Sequence, residues 1–172
     1  RIKVPSHTST APSTRLFDWK EINRQKLLKQ ADVLMLPFLF RNKFSEREIL
    51  SNFRYYEPMT DHGSSLSPSV HATIAAWIGD HEAARRYFRQ SLELDLFNIM
   101  KNTALGIHAA CLGGTWQALV YGYLGIRTDG DYLKVDEAAS SRIPENWGSV
   151  SLNLKNRQRT FSIRLANGEV KK

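Results

Sequence analysis

The chain has 172 residues, 42% of them hydrophobic, which is enough for one domain with a real core and too apolar for a disordered protein. Its net charge of +7 and isoelectric point of about 9.7 suggest nucleic acid as a partner. The excess sits at the ends, however: residues 1–30 carry +5 and residues 134–172 carry +4, against −2 for the middle. No RNP-type, zinc-finger or basic-zipper pattern accompanies it and the longest apolar runs fall short of a membrane span, so neither nucleic acid nor a membrane is an expected partner. The single cysteine, Cys111, lies in an apolar run and reads as a small buried hydrophobe in a reducing, cytoplasmic compartment. No signal peptide heads the chain, and Arg1 is not methionine, so the chain reads as a fragment or a processed piece.

Residues 1–14, rich in Ser, Thr and Pro, predict a polar arm or linker. A helical pattern starts within "WKEINRQKLLKQADVLMLPFLF" and turns apolar all round from Val33 to Phe40, which predicts burial on every side, with a kink or stop at Pro37. In "SEREILSNFRYY", Ser45 and Glu48 have capping-box spacing, and Ile49, Phe53 and Tyr56 share a face. The next helix opens at Ser67 with Pro68 in its first helical position and carries a stripe of Val70, Ile74, Trp77 and Ile78. Gly79 ends it and Asp80 caps "HEAARRYFRQSLELDLF", where Ala84, Tyr87, Phe88, Ser91 and Leu92 fall on one side. A last helix, "GIHAACLGGTWQALVYGYLGI", is again apolar all round, and Gly113 and Gly114 inside it predict close helix packing. After Gly125 the pattern changes. "DGDYLKVD" reads as a turn and strand, "SVSLNLK" and "RTFSIRL" alternate as a hairpin, and "ANGEVKK" adds an Asn-Gly turn. The expected layout is mainly α, with five helices (two apolar all round, three amphipathic) in two layers, followed by a small antiparallel β unit. The boundaries fall at 15–127 for the helical part and 128–172 for the β segment.

The residues that could carry chemistry cluster before the helix at Ser67. In "EPMTDHGSSLSPS", a helix N-terminus offers unpaired N–H groups and a partial positive charge. Ser64 and Ser65 add hydroxyls, Gly63 lets the backbone come close to a ligand, and His62 adds a hydrogen bond or a charge. Together these form a candidate anion cradle. The same residues also suit an ordinary loop in which Ser67 caps the helix. Upstream, Glu57 follows Tyr55 and Tyr56: aromatic faces and a carboxylate suit a sugar, and equally suit a half-buried helix end. Lys29 and Gln30 could direct a charge and an amide into a pocket or simply lie on the surface. His71 and His108 read as core histidines, and no cluster has metal spacing. No G-x-S-x-G, P-loop or dinucleotide fingerprint occurs.

Read in order, "LKQADVLML", "NFRYYEPMTDHGSSLSPSVHATIAAWIG", "AARRYFRQSLELDL" and "GIHAACLGGTWQALVYGYLGI" resemble the C-terminal half of the catalytic domain of glycoside hydrolase family 65. "RIPENWGSVSLNLKNRQRTFSIRL" is similar to that family's strand-rich C-terminal segment. The family contains inverting maltose, trehalose and kojibiose phosphorylases and some trehalases. The resemblance implies part of an (α/α)6 toroid with the site at its mouth. It implies that Lys29, Gln30 and Glu57 line the sugar and phosphate pocket as substrate-binding residues and that His62, Gly63, Ser64 and Ser65 hold inorganic phosphate. The implied partners are an α-linked glucose disaccharide and phosphate, with no cofactor beyond that co-substrate. The family's catalytic acid lies in a segment well upstream that this chain lacks, so Glu57 is not assigned that role and no catalytic residue is expected in this chain. Five helices cannot close six hairpins. The resemblance therefore implies a C-terminal part that packs against a missing N-terminal part, with a homo-oligomer possible. A trehalase-type hydrolase, for which Asp61 is the carboxylate beside the loop, and a non-catalytic sugar-binding or assembly module are the alternatives.

Overall fold

A computed structural model describes residues 18–22, 24–166 and 169–171. The predicted polar arm over 1–14 and the Asn-Gly turn at 167–168 lie outside these residues. Two short helices come first, α1 (Trp19–Ile22) and α2 (Met35–Leu39), then α3 (Glu46–Tyr56), which runs into a single 3-10 turn over Glu57–Met59. α4 (Ser67–Trp77), α5 (His81–Glu93) and α6 (Ala109–Gln117) follow, the last continuing as a π-helical stretch over Ala118–Tyr123. The C-terminal segment holds the hairpin β1 (Arg127–Asp129) and β2 (Tyr132–Lys134), a short α7 (Ala139–Arg142), and a three-stranded antiparallel sheet. That sheet runs in order β3 (Ser149–Asn156), β4 (Arg159–Ala166), β5 (Glu169–Lys171). The structure is mainly helical with a small antiparallel β part, as expected.

Local chemistry explains the boundaries. Ser45 Oγ accepts from the Glu48 amide while the Glu48 carboxylate takes the Ser45 N–H at 2.8 Å, a complete capping box. Asp80 Oδ1 accepts from Ala83 N at 3.0 Å and starts α5, directly after Gly79 closes α4 at φ +76°. The β3–β4 register pairs Val150 with Leu165, Leu152 with Ile163 and Leu154 with Phe161, so one face is apolar throughout.

The burial pattern departs from the sequence expectation in an ordered way. α4 was expected to be amphipathic, yet every residue from Ser67 to Ala76 is buried. Its Ala, Ser and Thr residues are small, so neighbouring helices approach from all sides. The two helices expected to be buried all round are open on one face. Met35, Leu36, Leu39 and Phe40 around α2 are exposed, as are Leu112, Trp116 and Tyr121 along α6 and its extension. Leu92, placed on the inner stripe of α5, is 45% exposed. Pro37 neither kinks nor stops a long helix. It sits buried in the first turn of the five-residue α2, where its missing N–H costs nothing.

Two hydrophobic clusters result. The larger joins Leu34, Ile49, Phe53, Val70, Ile74, Tyr87, Phe88 and Tyr123 around α4. The smaller joins Val120, Leu124, Ile126, Ala139, Ile163 and Leu165 between the π-helical stretch and the sheet, and Leu119 packs against both. Cys111 is buried, as expected, and burial raises its thiol pKa. Among the described residues, no helix is long and apolar enough to cross a membrane.

Candidate functional site

The loop before α4 is held from below by the segment before α2. Leu28 N donates to Met59 O at 2.8 Å, Asp61 N donates to Leu28 O at 2.7 Å, and Gly63 N donates to Lys29 O at 3.0 Å. This parallel bridge sets Lys29 and Gln30 directly beside residues 60–63. Two segments that the sequence separates by thirty residues therefore share one small region. The Lys29 side chain is exposed, and the Gln30 amide bonds the Asp32 carboxylate at 2.9 Å.

The backbone turns at His62, which adopts φ +53°. Left-handed conformations cost a non-glycine residue about 1–3 kcal/mol and persist only where the surroundings enforce them. Here both ring nitrogens are engaged. His62 Nδ1 lies 2.9 Å from Ser67 Oγ, and Nε2 lies 3.0 Å from the Tyr87 hydroxyl. The ring also packs on His71 and Tyr87, with centroids 4.5 and 4.8 Å away.

The sequence predicts Ser67 as the cap of α4 and Pro68 as its first helical residue, and the structure corrects both. The structure makes Ser67 the first helical residue and Pro68 the second, with Leu66 as the cap and no side-chain cap bond. Ser67 is spent on His62, and its carbonyl accepts from His71 Nδ1 at 3.0 Å. Ser64 Oγ takes a long bond from Leu66 N at 3.4 Å, and Ser64 O accepts from Ser67 N at 3.2 Å. Ser64 and Ser65 are both half-buried, and among the described residues Ser65 Oγ makes no hydrogen bond. The surplus of serines in this loop is thus not consumed by capping.

Glu57 sits where α3 gives way to the 3-10 turn, with its side chain only 12% exposed. Its Oε1 accepts from the Tyr87 hydroxyl at 2.6 Å and from Arg86 Nη2 at 3.1 Å. The Arg86 guanidinium also lies over the Tyr87 ring, 4.7 Å from its centroid. Burial, and then the hydrogen bond to Glu57, push the Tyr87 phenol well above its ordinary pKa, so it remains protonated and able to donate. A cleft of about 560 Å3 between α3 and α5 is lined in part by Arg54, Glu57, Pro58, Glu82 and Arg86. It opens on Glu57 but not on the serines.

The structure therefore brings Lys29, Gln30, Glu57, His62, Gly63, Ser64 and Ser65 into one neighbourhood. Sequence reasoning missed Arg86, Tyr87 and the role of Ser67. Tyr87 was assigned only to the buried stripe of α5, where it is indeed 1% exposed. The available signal was that a tyrosine on such a stripe, next to an arginine, needs a partner for its hydroxyl.

The profile of the family described as "Glycosyl hydrolase family 65 central catalytic domain" matches residues 4–117. The chain is 38% identical to a kojibiose phosphorylase of Halothermothrix orenii over 91% of its own length and 20% of the relative's. It is 38% identical to an alpha,alpha-trehalose phosphorylase of Thermoanaerobacter brockii over 90% of this chain and 20% of that one. It is 37% identical to a maltose phosphorylase of Bacillus subtilis over 88% of this chain and 20% of that one. A solved structure from the human microbiome, described provisionally as a kojibiose phosphorylase, superposes with a TM-score of 0.80 at 34% identity. The match covers 90% of this chain and 22% of that structure. The chain spans about a fifth of the length of the curated relatives it matches.

Proposed function

The chain belongs to glycosyl hydrolase family 65, and from that premise we propose that it supplies the phosphate loop and part of the glucose pocket of an inverting α-glucoside phosphorylase. The reaction is phosphorolysis of an α-linked glucose disaccharide to glucose 1-phosphate. His62, Gly63, Ser64 and Ser65 hold inorganic phosphate, and Lys29, Gln30 and Glu57 face the glucose. The observation that carries this reading is the direct link between the two groups, through Glu57, Tyr87 and His62.

The chemistry follows from charge. Inverting hydrolysis needs a carboxylic acid to protonate the leaving oxygen and a carboxylate base to activate water. Phosphorolysis needs the acid but no base, because phosphate is already an anionic nucleophile. The site must instead offer hydrogen-bond donors on the face opposite the leaving group, and a carboxylate there would repel the anion. Ser64 and Ser65, half-buried at the start of α4, fit that requirement. Arg86 pairs with Glu57 and offsets its charge, so the carboxylate near the loop repels an anion less.

The acid comes from outside these residues, and the helices form one part of an (α/α)6 toroid. The exposed Leu96, Phe97, Leu105 and Ile107, with the open faces of α2 and α6, pack against the rest of that ring. Phosphate dependence tests the function in a catalytic domain that contains this chain. Disaccharide cleavage that stops without phosphate and yields glucose 1-phosphate supports the reading. Cleavage at full rate in phosphate-free buffer would assign the chain to a hydrolase of the trehalase type.

A further inference from the structure

We propose that Tyr87 is a positioning residue of this site, holding His62 as the Nε2–H tautomer and so tying the anion loop to the glucose-side carboxylate. The inference rests on the phosphate-loop reading above and adds a residue that contacts neither substrate.

The tautomer follows from the direction of each hydrogen bond. Glu57 Oε1 accepts from Arg86 Nη2, so it is an acceptor. The phenol 2.6 Å away must then donate to it, which uses the only hydrogen on the Tyr87 oxygen. The 3.0 Å contact between that oxygen and His62 Nε2 therefore needs its hydrogen on the nitrogen. In the neutral imidazole, Nδ1 is left with a lone pair, 2.9 Å from Ser67 Oγ, and the serine hydroxyl donates to it. His71 leaves that hydroxyl free to do so. Its own Nδ1 must carry a hydrogen to reach the Ser67 carbonyl at 3.0 Å, with Ser67 Oγ more distant at 3.4 Å.

The result is one string with every donor pointing the same way: Ser67, His62, Tyr87, Glu57. Such strings polarise their members and strengthen each bond. Among the described residues, the groups facing His62 are the Tyr87 hydroxyl and ring from α5, His71 and Ser67 from α4, and, through the phenol, Glu57 with Arg86. The string also accounts for the backbone at His62. A side chain fixed at both nitrogens enforces φ +53°, and this turn sets the course of the chain into Ser64 and Ser65.

The test uses a catalytic domain that contains this chain, labelled with 15N at histidine, near pH 8, where an ordinary histidine is neutral. Long-range proton–nitrogen spectra report each tautomer directly. The unmodified chain is expected to show His62 with its hydrogen on Nε2. Tyr87→Phe should weaken that preference, so that the Nδ1–H form becomes populated, and reduce inorganic phosphate binding about tenfold, the size of one lost hydrogen bond. Circular dichroism confirms that the variant is folded. Ser67→Ala removes the other end of the string and should leave the hydrogen on Nε2. A hydrogen on Nδ1 in the unmodified chain would overturn the inference without any variant. So would a folded Tyr87→Phe with tautomer and phosphate affinity unchanged. Phosphate failing to bind that unmodified domain would instead overturn the functional reading on which the inference rests.

Discussion

Gly122 lies directly against Thr73: a methyl group added at this glycine would sit 3.0 Å from the Thr73 α-carbon. The same helix makes a second close approach one turn after Cys111, where a methyl on Gly114 would collide with the Ser69 hydroxyl. These two glycines let α6 and its π-helical extension lie flush on α4, the helix whose first turn carries the candidate anion site.

Gly122→Ala meets backbone, which cannot move aside as a side chain can. Overpacking of this kind costs about 1–3 kcal/mol. Thermal unfolding should show a lower Tm, with no specific loss of phosphate binding in the chain that remains folded. Gly114→Ala should do the reverse. The Ser69 hydroxyl bonds Leu66 O at 3.1 Å, and displacing it loosens the end of the loop. Phosphate affinity should fall more than stability does.

Arg86→Met tests the charge on Glu57. The arginine supplies one of the two bonds to Oε1 among the described residues, and hydrogen bonds to charged groups contribute about 1.5–3 kcal/mol. Calorimetric titration with glucose should show affinity reduced about tenfold or more, with phosphate affinity less affected because Tyr87 still bonds both Glu57 and His62. Equal losses for both ligands would indicate general loosening of the site.

The pH dependence of stability should carry a signature from Asp95. Its side chain receives His108 Nδ1 at 2.6 Å, the His108 amide at 2.7 Å and the Thr103 hydroxyl at 3.3 Å. Hydrogen bonding to His108 first, and then its amide and charge, hold the Asp95 carboxyl below the usual carboxylate range. A carboxylate with a depressed folded-state pKa contributes stability above its unfolded pKa, near 3.9, and loses it as pH falls through the lower folded value. Asp95→Asn should therefore flatten the acid limb of the stability curve below about pH 4. Denaturation midpoints measured across that range are the check.

Much of the local structure was legible in the sequence because it rests on local rules. The Ser45–Glu48 box, the Asp80 cap, the Gly79 stop and the β3–β4 hairpin each depend on residues within a few positions of one another. Burial was legible only in part, because it depends on what surrounds a helix. A run such as Val33–Phe40 is apolar enough to be buried, but only neighbouring helices decide whether it is. α4 shows the converse. Its serines, threonine and histidine look like a polar face, yet Ser69, His71 and Thr73 find backbone or side-chain partners within the fold and are fully covered. The candidate loop itself was readable from its surplus of polar residues. Its connection to Glu57 was not, since Tyr87 stands thirty residues from Glu57 and twenty-five from His62.

The central claim is that Ser64, Ser65 and the first turn of α4 form a seat for inorganic phosphate. The direct measurement is a phosphate titration of a 15N-labelled catalytic domain that contains this chain, followed at the backbone amides of residues 63–69, with chloride as the ionic-strength control. The account predicts saturable shifts confined to this loop and lost in the Ser64→Ala/Ser65→Ala double variant. Amides that stay still under phosphate, or that move identically in chloride or in the double variant, would contradict it.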